Sequence, residues 1–176
     1  MQKTSQSIYI WRDYTVRWLT KEDLPALQDL LVRGTDFFEM IEGEPTAANA
    51  AEKVSTDGPP GWGLEGKFLF GAFDSKGVMA AVIEGFRGYP EQDVYWIGLF
   101  LLDPACRKRG VGGGLINSFF TWARNEGASQ IGLGVQENNT NAFAFWQHMG
   151  FTVLDITEPR KIKDKELRIY RMRKTL

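Results

Sequence analysis

The sequence predicts a mixed α+β fold: a central, mostly antiparallel sheet flanked by helices, in the order β-α-α-β-β-β-α-β-α-β-β. Three observations predict it. Between Lys67 and Leu102, apolar runs of strand length are separated only by short turns, Asp74-Ser75-Lys76-Gly77 and Gly88-Tyr89-Pro90-Glu91-Gln92. Directly after a Gly-rich turn, Leu115, Ile116, Phe119, Phe120 and Trp122 recur at helical spacing. Beyond Gly127, a short apolar run (Gln130 to Val135) is followed by a helical pattern (Asn139 to Met149) that stops at Gly150.

The elements follow in order. Residues 1–7 are polar and are expected to be disordered. Tyr14 to Leu19 alternates enough to be a strand. Thr20-Lys21-Glu22-Asp23 reads as an N-cap and first helical turn, with acids where the helix dipole favours them. Leu24, Leu27, Leu30 and Leu31 continue that helix. Thr35 to Ser55 carries a second helical pattern, broken at Gly43-Glu44-Pro45, and Thr56 to Gly63 is a loop by composition. Lys67 to Phe73, Val78 to Phe86 and Val94 to Leu102 are strands; the last is nearly all apolar, as expected at a sheet centre. Val111 to Asn125 is a helix with Gly127 at its C-cap. Thr152 to Thr157 and Glu166 to Met172 are strands that pair across the charged segment between them.

Length and composition set bounds. At 176 residues the chain is expected to form a single domain, residues 1–176, with a sizeable core. It is 43% hydrophobic and 24% charged, with a net charge of −1, so bulk electrostatics point to neither a nucleic-acid nor a membrane partner. One cysteine excludes an internal disulfide or a Cys-rich zinc site, and one histidine argues against a His-based metal centre, so no metal is expected. No apolar run approaches membrane-spanning length, and the expectation is a soluble, cytoplasmic protein.

The most informative stretch runs from Leu101 to Ile116. An apolar strand ends at Asp103-Pro104, a basic Gly-rich turn follows, and a helix begins. Such a turn presents backbone N–H groups at a helix N-terminus, beside Arg107, Lys108 and Arg109, and suits a phosphate or pyrophosphate. Glycine at 110, 112 and 113 removes side chains that would hold a ligand away from the backbone. The Walker A pattern does not fit, because Ile116 and Asn117 follow Gly114 and Leu115. The dinucleotide fingerprint fails too: counting from Gly110, Leu115 stands where the third glycine belongs. What does fit is Arg107-x-x-Gly110-x-Gly112 after a strand ending in x-Pro. A second segment, Asn139-Thr140-Asn141-Ala142-Phe143 to Gly150-Phe151, stands one helix and one strand later. Together the two motifs resemble the signatures of the GCN5-related N-acetyltransferase (GNAT) family, which binds acetyl-coenzyme A. They cover roughly Tyr95 to Phe151, and the order of elements carries the resemblance beyond that span.

The resemblance implies acetyl transfer from acetyl-CoA to a primary amine of a small molecule or peptide. It implies a cofactor site made of the Leu101 and Leu102 backbone, Arg107, the loop Lys108, Arg109, Gly110, Val111, Gly112 and Gly113, and Asn139. The Leu102 N–H is the implied oxyanion donor. In the family this strand splays from its neighbour to admit the pantetheine arm, and Gly132 and Gly134 on the partner strand suit that cleft. Dimers are common in the family.

Two departures stand out. The family's usual thiolate proton donor is a tyrosine seven residues after the asparagine, where this chain has Trp146. An indole N–H can line the pocket or donate a hydrogen bond, but it does not release its proton at ordinary pH. The usual general-base positions fall on Trp96 and Gly134, neither of which accepts a proton. Glu84 and Asp93 are the nearest acids, both expected to be solvated surface carboxylates, so proton transfer through water is the expected route. Phe37, Phe38 and Trp62 are candidates for the acceptor-pocket wall, with Glu84 and Trp96 beside them. His148 is expected to be exposed, Cys106 passive, and the basic residues from Arg160 to Lys174 a solvated hairpin. Two rivals remain: a non-catalytic acyl-CoA-binding module, which the missing tyrosine and carboxylates favour, and a nucleotide-binding protein using the same loop.

Overall fold

The computed structural model describes residues 7–163 and 165–176. The chain begins with a hairpin, β1 (Ser7–Trp11) and β2 (Tyr14–Trp18), then a helical layer, α1 (Leu24–Arg33), α2 (Thr35–Ile41) and α3 (Ala50–Thr56). A meander follows: β3 (Lys67–Phe73), β4 (Met79–Arg87) and β5 (Val94–Leu102). Then come α4 (Val111–Asn125), β6 (Gln130–Gln136), α5 (Thr140–His148) and β7 (Thr152–Ile156). A small hairpin, β8 (Arg160–Ile162) with β9 (Lys165–Leu167), precedes the last strand, β10 (Ile169–Thr175).

The main sheet has the order β1-β2-β3-β4-β5-β6-β10-β7. Among the described residues its one parallel pair is β5 with β6, joined through α4 as a parallel crossover requires. Period-two alternation gives the sheet two apolar faces. Phe68, Phe70 and Ile83 pack with Leu115, Ile116 and Phe119 of α4 and with Trp146 of α5. On the opposite face Val82, Leu99 and Leu101 pack with Leu27, Leu30 and Leu31 of α1 and with Phe38 and Ala50. The sheet is therefore filled between two helical layers.

Local chemistry sets the ends of the elements. Thr20 N–H donates to Asp23 Oδ2 at 2.8 Å, and Arg17 clamps the same carboxylate through bonds of 2.8 and 2.7 Å, fixing the entry to α1. Gly127 takes φ +96° just past α4, as its position after the helix predicts.

Four expectations need correction. Ser7 opens β1, so it is ordered, while residues 1–6 lie outside the described residues. β1 itself extends the sheet beyond the predicted order, because Trp11 finds a seat on α4: a Cβ on Gly114 would lie 2.0 Å from its indole. The second helical pattern is broken at Gly43–Pro45 as expected, but the break separates two helices, α2 and α3, where the predicted order counted one. Glu166 and Leu167 belong to β9, and the last strand starts at Ile169, because the charged segment folds back on itself before β10 pairs with β7.

Candidate active site

The site is built where β5 and β6 part. They pair only from Val94–Gln130 to Ile97–Leu133. Beyond that point β5 stays with β4, down to Ala81 opposite Leu102, while β6 stays with β10, out to Gln136 opposite Ile169. The wedge between them opens a cavity of about 630 Å³ whose lining includes Gly98, Phe100, Gly134, Gln136, Asn139 and Trp146.

The register decides which backbone groups face the wedge. Asp103 N–H donates to Ala80 O at 2.8 Å, so this pair is the hydrogen-bonded kind. The next pair, Leu102 with Ala81, must then point its amide and carbonyl away from β4, and two residues back Phe100 does the same. The N–H groups of Leu102 and Phe100 therefore face the opening. Leu101, between them, is buried against α1 and turns its backbone to β4.

Arg107 to Gly113 form the turn into α4. Gly110 is the N-cap at φ +75° and Lys108 sits at φ +58°. The first α4 bond runs from Gly114 N–H to Gly110 O at 3.1 Å, so the amides of Val111, Gly112 and Gly113 precede the intrahelical ladder. Among the described residues, no atom beyond its chain neighbours comes within 4 Å of the Cβ position of Gly110. The Arg107 guanidinium is engaged by other groups. It grips Asp36 through two bonds and donates from Nε to Leu102 O at 3.2 Å, tying the turn to α2 and to the end of β5. That grip holds the Asp36 carboxyl below its usual range.

Asn139 caps α5, accepting from Ala142 N–H at 3.1 Å, and it lines the wedge while buried. Trp146 is 7% exposed and packs on Phe100, Phe145 and Phe151. Gln136 Oε1 and Arg173 Nε are buried without a hydrogen-bond partner among the described residues, and both residues line the wedge.

A second cavity of about 440 Å³ adjoins the first, sharing Tyr89, Trp96 and Gly98 with it. Phe38, Phe86, Lys67 and Glu84 are also in its wall. Glu84 is not a solvated carboxylate, contrary to expectation. It is 9% exposed and paired with Lys67, whose ammonium also donates to Asp57 O at 2.7 Å. β4 is an interior strand, so a side chain in its middle is covered by neighbours whatever its polarity. Burial pushes the Glu84 carboxyl above its ordinary value, against the opposing pull of Lys67. Asp93 is exposed as expected and accepts from the Ser129 hydroxyl, which holds its carboxyl down.

The remaining aromatic candidates separate. Phe37 and Trp96 line the wedge, and Phe38 lines the second cavity. Trp62 lines neither; it is 48% exposed and sits edge-on against Tyr89, the residue that does reach both. Gly132 is not cleft floor: a Cβ there would meet the Trp96 ring at 2.6 Å, so it makes room for that indole. Gly134 does line the wedge. His148 is exposed. Cys106 is half-buried, with its sulfur 3.8 Å from the Tyr14 hydroxyl. Phe100, Lys67, Tyr89 and Gly98 are site residues that the sequence did not single out. The signals were a lone lysine opening an apolar strand and a lone glycine inside the most apolar one.

Comparison with known proteins agrees with this geometry. The sequence matches the model of the acetyltransferase (GNAT) family over residues 24–151, and the chain belongs to that family. A comparison with curated proteins finds no match. Solved structures share the fold. A GCN5-related N-acetyltransferase from Kribbella flavida is 24% identical, covering 93% of this chain and 98% of its own at a TM-score of 0.69. Spermidine N-acetyltransferase from Vibrio cholerae, solved with CoA and spermine, is 16% identical over 93% and 95% of the two chains, with a TM-score of 0.73. The Salmonella typhimurium acetyl transferase that modifies the N-terminal serine of ribosomal protein L7/L12 is 13% identical over 97% and 99%, with a TM-score of 0.78. Among the described residues no helix is long and apolar enough to cross a membrane, and no cluster of three or more His, Cys, Asp or Glu is placed to hold a metal.

Proposed function

We propose that residues 1–176 form a single-domain, cytoplasmic N-acetyltransferase that moves an acetyl group from acetyl-CoA to a primary amine of a small molecule or peptide. The observation that carries this reading is the parting of β5 from β6, with the Phe100 and Leu102 N–H groups turned into the gap beside the open N-terminus of α4. The residues fit the cofactor. The amides of Val111, Gly112 and Gly113, at the positive end of a 15-residue helix, suit a diphosphate. Lys108 and Arg109 add charge there, while Arg107 holds the turn in place through Asp36. The wedge, with Asn139 and Trp146 along one side, suits the pantetheine arm, and a relative with this fold binds CoA.

When bound, acetyl-CoA supplies an activated carbonyl. The amine must attack it directly, and the charge that develops on oxygen needs fixed donors. Phe100 N–H, inside the wedge lining, and Leu102 N–H, at its end, are the backbone donors available, and backbone donors need no reorganisation during reaction. Trp146 closes the pocket without acting as an acid, so water returns the proton to sulfur. Its presence in place of a phenol favours one alternative, a non-catalytic acyl-CoA-binding module.

Calorimetric titration with acetyl-CoA, with ATP and NAD as controls, tests the cofactor assignment. Gly110→Asp and Gly110→Asn carry the same backbone strain at a positive φ, but only Asp places a negative charge at the diphosphate position. The expected result is selective acetyl-CoA binding that falls at least tenfold, about 1.4 kcal/mol, in the Asp variant relative to the Asn variant. Equal affinities, or preference for ATP or NAD, would overturn it. Binding without turnover on any amine would leave the acyl-CoA-binding module.

A further inference from the structure

The second cavity has no part in holding the cofactor as assigned above, and its chemistry is distinct from that of the wedge. Its walls are largely apolar and aromatic: Phe38, Val54, Phe86, Tyr89 and Trp96. Glu84 stands at its inner end, where it meets β5. The β4–β5 register slips there, Glu84 opposing Leu99 and Gly85 opposing Ile97, so Gly98 is the extra residue. A Cβ at Gly98 would lie 2.5 Å from Glu84 Oε2. Glycine therefore lets the carboxylate rest against the β5 backbone, two residues before Phe100, whose N–H faces the wedge. Lys67 holds the other oxygen, Oε1. A buried, oriented carboxylate in the second cavity thus rests against Gly98, a residue that both cavities share.

We propose that the second cavity receives the acceptor, a primary amine on a short apolar or aromatic body, and that Glu84 binds its ammonium over Gly98 and takes its proton. The proposal rests on the acetyltransferase reading and adds a base that the usual positions, Trp96 and Gly134, cannot supply. The ammonium gives one proton to the Glu84 carboxylate, leaving a neutral amine. The nitrogen lone pair then forms the C–N bond to the thioester carbon, and the C–S bond breaks with its electron pair going to sulfur. The second nitrogen proton passes through water to that sulfur, and Glu84 releases its proton to solvent. A raised carboxyl suits this exchange, because a base nearer the working pH accepts a proton more readily. The charged groups around it are Lys67 on β3, Lys53 on α3, Asp57 after α3 and Glu42 after α2, all in the same cavity. Lys67 is a positioning residue. Lys53 and Lys67 place two positive charges in the same wall and oppose a polycation lying along the cavity, which separates the expected acceptor from spermidine.

The test follows thiol release with phenethylamine, spermidine and a lysine peptide as acceptors, across about pH 6 to 9, with acetyl-CoA affinity measured in parallel by calorimetry. Phenethylamine is expected to be the best of the three. Glu84→Gln is expected to lower its kcat/KM by about a hundredfold or more and to remove the acid limb of the pH profile, with acetyl-CoA affinity unchanged within about twofold. Glu84→Asp recovers part of the rate. Val54→Phe, which narrows the cavity from the α3 side, is expected to raise KM for phenethylamine at unchanged acetyl-CoA affinity, and it carries the test if the Glu84 variant does not fold. Wild-type kcat/KM and pH profile in Glu84→Gln, an unchanged KM in Val54→Phe, or transfer to spermidine or peptide in preference to phenethylamine would each overturn the proposal. So would acetyl-CoA binding with no acceptor among the three. Failure of the wild type to bind acetyl-CoA instead removes the reading beneath it.

Discussion

Replacing Lys67 by Met should turn a buried ion pair into a buried, unpaired carboxylate. Lys67 and Glu84 have side-chain exposures of 7% and 11%, so solvent cannot replace the lost ammonium. Breaking such a pair by removing one partner costs about 3–5 kcal/mol, whereas removing both charges is close to neutral. In a chain of 176 residues that cost lowers the melting temperature by on the order of 10 °C. The cost should depend on pH in a definite direction. Burial raises the folded-state pKa of Glu84 above its unfolded value. Its stabilising contribution is therefore full below the unfolded pKa, about 4.3, and is lost as pH rises through the folded pKa. Lys67 keeps the folded value from rising further, so Lys67→Met extends the loss toward neutral pH. Urea unfolding at about pH 5 and pH 8 measures it: the deficit against wild type should be about 3–5 kcal/mol at the higher pH and less than about half of that at the lower. Lys67→Met/Glu84→Met should recover most of the deficit. An equal deficit at both pH values, or a double variant as unstable as the single one, would refute the reasoning.

Two further outcomes are expected. Gly114→Ala should destabilise the fold by about 1–3 kcal/mol in thermal unfolding, because the new Cβ meets the Trp11 indole, even though alanine is the better helix former by about 1 kcal/mol. In a Trp11→Leu background that cost should disappear, and a stabilising Gly114→Ala in wild type would show that β1 yields freely. Trp146→Phe should keep acetyl transfer within about fivefold of wild type, because an indole N–H has no proton to give at ordinary pH. A fall in kcat of about a hundredfold at unchanged KM would instead place that N–H in the transition state.

What could be read in the sequence was what local chemistry dictates. The turn from Arg107 to Gly113 and the helix Val111–Asn125 were legible because glycine spacing and apolar periodicity act over a few residues. The meander from Lys67 to Leu102 was legible for the same reason, its turns being short and polar. β1 was not: its five residues pair with β2 across a short turn, and its Trp11 packs on Gly114, more than 100 positions away. Arg107 could be seen as basic, but not as spent on Asp36, 71 residues before it.

The sequence by itself determined the Gly-rich turn before α4 and the order of most elements around it, because both rest on contacts between near neighbours. Only the tertiary structure decided that Phe100 shares the wedge with Leu102, that Trp62 stays outside, and that Glu84 is a buried partner of Lys67. Strand register and burial set these outcomes. A charge looks solvated in a sequence until three strands close around it, and a backbone amide is free only where the neighbouring strand has turned away.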